Sequence, residues 1–385
     1  MITVNHPTGN QFVRALLAAL HEAGELDLFF TTIAAASGRR HYQLPREKIR
    51  ARPFRETLRL AALRLGLRAL TAHETGWASA DAVYRDLDGA VARWIAAHPG
   101  TGGVYCYEDG ALETFRAAKQ AGKKTIYELP IAYWETSRRL LIEEAERLPR
   151  WEPTLFATRD SEEKLRRKSE ELALADRIVC PSGFVLDSLP SAAREKCVLA
   201  EFGSPAIRPR QHRNATRLRI LFAGALSQRK GLADLFAAMK LVSRPDVELV
   251  VMGSPAAPMD FYRAEYDGFI YEPTRPHGGV LDLMSSCDLL ALPSIVEGRA
   301  LVQQEAMSCG LPLIVTANAG GADLIEEGKT GFLVPIRSPE AIAEKIAWFA
   351  DHRNLLPMMQ EASQQKAAQY TWAAYAGKIM KALPR

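Results

Sequence analysis

No stretch of this chain approaches the roughly 20 consecutive apolar residues that a membrane-spanning helix needs, and no secretory-type signal pattern opens it. Cysteine is scarce and scattered. Cys106, Cys180, Cys197, Cys287 and Cys309 are odd in number and never spaced C-x-x-C, which argues against a disulfide framework or a zinc site and predicts reduced thiols in a cytoplasmic setting. The G-x-G-x-x-G fingerprint of dinucleotide binders is missing, and so is any D-x-D pair placed to hold a metal. No nucleic-acid partner is expected. What is present is ordinary for a globular protein. The 385 residues are 48% hydrophobic and 24% charged, a length that suggests two domains rather than one.

The net charge of +4 hides an asymmetry. Residues 39–68 hold ten Lys/Arg against only Glu47 and Glu56, a local +8 that leaves −4 for everything else. Within that segment Pro45 and Pro53 predict an irregular first part, and residues 54–70 predict a helix. Its Arg55 and Arg59 share one face, while Leu58, Ala62 and Leu65 share another. Such a helix suits the anionic inner surface of a membrane or an anionic acceptor; packing against a core, with a solvated arginine face, is the competing expectation.

Strand-like and helix-like runs alternate along the chain. Residues 1–5 read as a strand, followed by the HPTGNQ turn with a lone Gly9 and a helix over 12–22. Further strands are expected at 26–33, 104–107 and 124–130, in the ADRIVC and EKCVLA segments, and, past a polar linker at 204–217, at RILFAG, VELVVMG, FIYEP, DLLALP and 313–315. Long helical sequence at 135–174 is broken near Pro149 and Pro153. The fold class is therefore α/β, two doubly wound parallel sheets. Ligands of such sheets bind at the carboxyl ends of the strands, so Glu108, Asp109 and Glu128, which follow two of them, are expected to face the cleft.

Residues 288–335 are the most informative stretch. An apolar run at 289–293 suits a buried strand, Glu297-Gly298 follows it, and helix-compatible residues run from 299 to 309 before Gly310 and Pro312 stop them. A helix that starts beside Glu297 offers free N–H groups and a positive dipole end to a phosphate, with Gly298 allowing close approach. Glu305 stands about 10 Å along that helix, where a carboxylate can accept hydrogen bonds from a vicinal diol. Diphosphate at the tip and ribose beside the second turn make a nucleotide pose. Arg229-Lys230-Gly231 occupies the turn after the first strand of the second half, where two cations could neutralise a leaving diphosphate.

Glu297 and Glu305 with seven residues between them, then AMSCGLP and GGADLIEEGKTGFLV, resemble the E-x7-E region of the retaining GT-B glycosyltransferases of family GT4 (glycosyl transferases group 1), which include sucrose-phosphate synthases and bacterial mannosyltransferases. The resemblance implies two facing Rossmann-like domains: residues 1–203 on the acceptor side, 218–369 on the donor side, and a terminal helix at about 370–385 returning to the first. It implies a nucleotide-diphosphate sugar as donor, no metal cofactor, and a hydroxyl acceptor of lipid-linked or polysaccharide type. Glu297, Lys230 and Arg229 would be catalytic. Gly224, Gly298, Arg299, Ala300, Leu301 and Glu305 would hold the donor, with Gly9 facing its phosphate across the cleft; as plain sequence, Gly9 is equally a βα turn. Three departures stand out: no His follows Tyr127-Glu128, Ala225 replaces a common Arg, and Arg299 replaces an aromatic. A nucleotide-sugar epimerase of the same architecture and a non-catalytic sugar-binding module are the rival expectations.

Overall fold

The computed structural model describes residues 1–33, 41–100, 102–209 and 216–383. Arg39 and Arg40 of the basic segment, residues 210–215 of the expected linker and the last two residues lie outside these.

Two all-parallel sheets carry the fold. The first has seven strands, β1 (Ile2–Asn5), β2 (Leu26–Thr31), β3 (Ile49–Ala51), β4 (Gly103–Tyr107), β5 (Lys124–Glu128), β6 (Arg177–Cys180) and β7 (Cys197–Leu199), in the order β3-β2-β1-β4-β5-β6-β7. The second has six, β8 (Leu218–Ala223), β9 (Val247–Met252), β10 (Phe269–Glu272), β11 (Leu289–Leu292), β12 (Leu313–Val315) and β13 (Gly331–Leu333), in the order β10-β9-β8-β11-β12-β13. Strands such as β1 and β11 are buried at every residue, which is why they read as unbroken apolar runs: helices cover both faces. In each sheet the strand order reverses once, between β1 and β4 and between β8 and β11. At such a switch point two neighbouring loops diverge and leave a crevice. In the second sheet the loops that flank it carry Arg229-Lys230 and Glu297.

Two strands escape the sequence patterns. β3 falls where prolines predict irregular chain, and β13 is only GFL; each has three residues and sits at a sheet edge. The helix expected over 54–70 ends at Arg64, and Ala62 is its one buried residue. Of the leucines assigned to a packed face, Leu58 is half-buried and Leu65 is in solvent.

The chain crosses between the halves twice outside the linker. Helix Trp372–Ala382 lays Tyr375, Ala376 and Ile379 into the core of the first half, beside Phe12, Leu16 and Phe202. Helix Trp134–Arg147 leads into the 3-10 segment Pro149–Thr154, whose Trp151 is buried in the core of the second half against Phe236, Phe261 and Tyr262 at 4.9–6.1 Å between ring centroids.

Candidate active site at the switch point of the second sheet

After β8 the chain turns through Gly224 and a short 3-10 segment, Gln228–Lys230, before helix Leu232–Val242 begins. The turn closes at Gly231, with φ at +76°; a Cβ there would overlap the Pro293 carbonyl. Only glycine meets both demands. The loop after β11 is stitched to this turn by the backbone: Ile295 N–H donates to the Arg229 carbonyl at 2.9 Å. Asn318 and Thr316 brace it from the other side, donating to the carbonyls of Ile295 and Ser294 at 2.8 and 2.6 Å.

The consequence is a compact charge cluster. Lys230 Nζ lies 2.6 Å from Glu297 Oε1, and the Arg229 guanidinium donates to the same oxygen. Lys230 and Glu297 are about nine-tenths buried and Arg229 is 28% exposed. Burial alone would raise the Glu297 pKa, but the two cations outweigh it and hold it below the ordinary carboxylate range. Burial and the adjacent Arg229 push Lys230 below the ordinary lysine value, with Glu297 opposing them. Two cations therefore share one carboxylate, and the cluster carries an excess positive charge. Gly224 flanks it: a Cβ there would stand 3.4 Å from Lys230 Cε.

A second network, which the sequence reading missed, grips the same turn from behind. Gln228 is fully buried. Its backbone N–H donates to Thr154 Oγ1 at 3.1 Å, and its side-chain amide donates to Glu144 at 2.8 Å and Asp234 at 2.7 Å. Arg147 joins both carboxylates at 2.8 Å, and Arg337 donates to Glu144. Residues 144–154, from the first half in sequence, thus fix the residue that precedes Arg229-Lys230. No local motif announces such a contact, because its partners lie about 80 positions apart.

Glu305 stands on helix Leu301–Ser308 with its side chain 21% exposed, 3.5 Å from His277 Nδ1. Burial raises its pKa, with His277 opposing. Its remaining acceptor capacity is what a diol requires.

Three of the expected donor contacts need correction. Gly298 does not clear space for a ligand: a Cβ there would overlap the carbonyl of Pro130, and its own carbonyl accepts from Ser182 Oγ at 2.6 Å. The Glu297 carbonyl accepts from Ala132 N–H at 3.3 Å, so glycine is needed because the first half docks here. Arg299 has its guanidinium committed within the second half. Its side chain is fully buried and bidentate to Asp323 at 2.7 and 3.0 Å, with further bonds to Gln304 and the Gly320 carbonyl, and it lies over the Tyr370 ring. Of the amides expected to cradle phosphate, that of Ala300 already donates to the Ala319 carbonyl at 3.1 Å, and the Leu301 side chain packs against the core of the first half. Replacing Arg299 with Ala is expected to cost about 2 kcal/mol, because Gln304, Gly320 and half-exposed Asp323 all lose their partner; a chemical-denaturation midpoint equal to wild type would contradict this.

On the facing sheet, Glu108 and Asp109 follow β4 as the strand-end rule predicts, but they are paired with Lys168 Nζ at 2.7 and 3.2 Å. Burial raises the Glu108 pKa against the pull of Lys168. Glu128 is enclosed between His6 Nε2 at 3.2 Å and the Tyr375 hydroxyl at 3.1 Å. Gly9 lies under His41, whose Nε2 is 2.6 Å from the Gly9 carbonyl. As to metals, His73, Glu74 and Asp160 bring ligand atoms within 4.8 Å of one another. Glu74, however, already accepts from Ser161, and Asp160 pairs with Lys164 at 3.1 Å.

Comparison with known proteins bears on the family of the second half and on the fold of the chain. The profile described as "Glycosyl transferases group 1" matches residues 204–366. A D-inositol 3-phosphate glycosyltransferase of Corynebacterium glutamicum is 30% identical over 174 residues, 42% of this chain and 41% of that protein. A putative colanic acid biosynthesis glycosyltransferase, WcaL of Salmonella typhimurium, is 32% identical over 108 residues, 26% of this chain and 27% of that protein. The chain therefore spans less than half the length of these curated relatives. Among solved structures, HepE of Anabaena in complex with UDP superposes with a TM-score of 0.66 at 15% identity, covering 99% of this chain and 98% of that one. A sucrose-phosphate synthase of Thermosynechococcus elongatus gives 0.70 at 18% identity, covering 99% and 97%. Residues 204–366 match the glycosyl transferases group 1 family, on a chain of GT-B architecture.

Proposed function

We propose that this chain is a retaining glycosyltransferase that moves a sugar from a nucleotide-diphosphate sugar to a hydroxyl acceptor without a metal ion. The observation that carries this reading is the buried Arg229–Lys230–Glu297 cluster at the β8/β11 switch point, where two cations share one carboxylate. As the anomeric C–O bond breaks, negative charge grows on the leaving diphosphate, and cations held in place beforehand stabilise it without reorganisation. Glu297 fixes both cations and orients the sugar hydroxyls; Glu305 takes the ribose diol. The acceptor, a lipid-linked or polysaccharide glycan, approaches from the first half. A cytoplasmic place suits five cysteines that are all free thiols. Among the described residues no helix is long and apolar enough to cross a membrane.

UDP-glucose is the first donor to test, since the Anabaena protein HepE has been solved with UDP and with UDP-glucose. The direct test follows the anomeric configuration of the transferred sugar by NMR, in buffer containing EDTA. Retention of the donor configuration supports the reading. Inversion, or an epimerised nucleotide sugar formed without any acceptor, refutes it.

Glu305→Ala is expected to raise the donor KM and weaken nucleotide affinity by about 1–3 kcal/mol while leaving kcat near wild type. Because burial raises the Glu305 pKa, donor affinity should begin to fall on acidification at a higher pH than an ordinary glutamate would give. A pH profile of nucleotide Kd, wild type against Glu305→Gln, checks both points.

A further inference from the structure

We propose that the surface formed by residues 46–77, with Arg93 beside it, docks on an anionic lipid bilayer through an arginine-lined hollow and an adjoining apolar ridge that inserts between lipids. The inference deepens the transfer reading by supplying a surface on which a lipid-linked acceptor would be met.

The ridge is unusual for a water-facing surface. Half of the large hydrophobic side chains that are exposed among the described residues fall between positions 54 and 77. Phe54 is 72% exposed, Leu65 73%, Leu63 53% and Trp77 50%. Helix Phe54–Arg64 presents Phe54 and Leu63 instead of burying them, with Ala62 its one buried residue, and Leu65 and Trp77 extend the ridge beyond its end. Phe54 and Trp77 stand edge to face at 6.2 Å, and Arg55 lies over the Trp77 ring at 4.5 Å while donating to its carbonyl at 2.6 Å. That fixes an aromatic pair at the water-facing surface, an arrangement that suits the headgroup level of a bilayer.

Beside the ridge lies an open hollow of about 840 Å³ against edge strand β3. Arg46, Arg50, Arg52 and Arg93 line it, over Ile49 and Trp94, with Glu47 the acidic residue among its walls. Arg52 is paired with Asp86 at 2.9 Å, and Asp86 lies 3.9 Å from Arg55, which links hollow and ridge into one surface. Arg46 and Arg93 have no carboxylate partner among the described residues. A folded protein partner could match the ridge or the hollow separately. Their continuity, cations beside inserted apolar groups, matches the headgroup and acyl layers of an anionic membrane.

Flotation with sealed phosphatidylcholine vesicles, with and without phosphatidylglycerol, tests this in the absence of nucleotide. The wild type is expected to float only with the anionic vesicles, and less at high salt as the charges are screened. Arg46→Gln/Arg93→Gln should lose about tenfold or more in vesicle affinity and flatten the salt response. Phe54→Ser/Leu65→Ser should lose a similar amount while keeping the salt response. Both variants replace exposed side chains, so unchanged melting temperatures are the control for folding. A wild type that fails to float at low salt, or variants that float as well as it does, would overturn the inference. So would concentration-dependent dimerisation that Phe54→Ser/Leu65→Ser abolishes, with no vesicle binding, since the ridge would then join two copies of this chain. UDP-glucose binding, titrated separately without vesicles, keeps the two readings apart: loss of either leaves the other standing.

Discussion

Lys230→Ala is expected to lower kcat by about 10²–10³-fold, the range found when one preorganised transition-state donor is removed. In the ground state Lys230 Nζ is shared with Glu297 at 2.6 Å, and a bound diphosphate is partly served by Arg229. In the transition state the leaving oxygen gains negative charge, and a second buried cation then counts for more than it did before. The kcat/KM value should therefore fall at least as far as kcat. The fold is expected to hold, because burial and Arg229 already disfavour a charged Lys230 and the variant leaves Arg229 paired one to one with Glu297. Steady-state kinetics with saturating donor decide it. A variant with near-normal kcat and a raised donor KM alone would remove Lys230 from the leaving-group role.

Gly298→Ala is expected to be strongly disruptive for a change of one methyl group. The added Cβ would overlap the Pro130 carbonyl and stand 3.0 Å from Ile131 Cα, and neither is the end of a flexible side chain. Backbone on both sides would have to give way, which breaks the Ala132-to-Glu297 and Ser182-to-Gly298 hydrogen bonds between the halves. A cost of about 3 kcal/mol follows from overpacking a tight contact, and Glu297 moves with its neighbour, so activity should fall with stability. Differential scanning calorimetry and small-angle scattering on the variant check this: a lower melting temperature and a larger radius of gyration are expected. Equal stability with selectively weakened nucleotide binding would return Gly298 to the phosphate.

These two residues show what the sequence conveys and what it withholds. The apolar runs, the glycine and proline stops and the alternation of periods are local, and they placed most strands and the switch-point loops of both sheets correctly. Three-residue β3 and β13 were lost because β3 lies between two prolines and β13 follows a polar glycine-containing turn, whereas β7, as short and also at an edge, keeps a readable apolar run. Glu297, Lys230 and Arg229 were legible because strand-end chemistry and spacing bring them together. Gly298 and Arg299 were assigned to the wrong partner because Pro130, Asp323 and Tyr370 reach them from distant parts of the chain. The acidic trio on the first sheet has partners that the sequence did not announce for the same reason: Lys168 and Tyr375 reach Glu108 and Glu128 from helices far along the sequence. Gln228 went unnoticed since a buried glutamine before an Arg-Lys pair has no motif, although its network with Glu144 and Asp234 holds the cations in place.

The central claim is that a nucleotide diphosphate binds at the cluster of Arg229 and Lys230, with its ribose on Glu305. Titration calorimetry of UDP, GDP, ADP and dTDP into the wild type, Lys230→Ala and Glu305→Ala, all in EDTA, tests it most directly. The account predicts that one nucleotide binds the wild type without metal and binds both variants more weakly. No binding by any of the four, or binding that neither variant weakens, would contradict it.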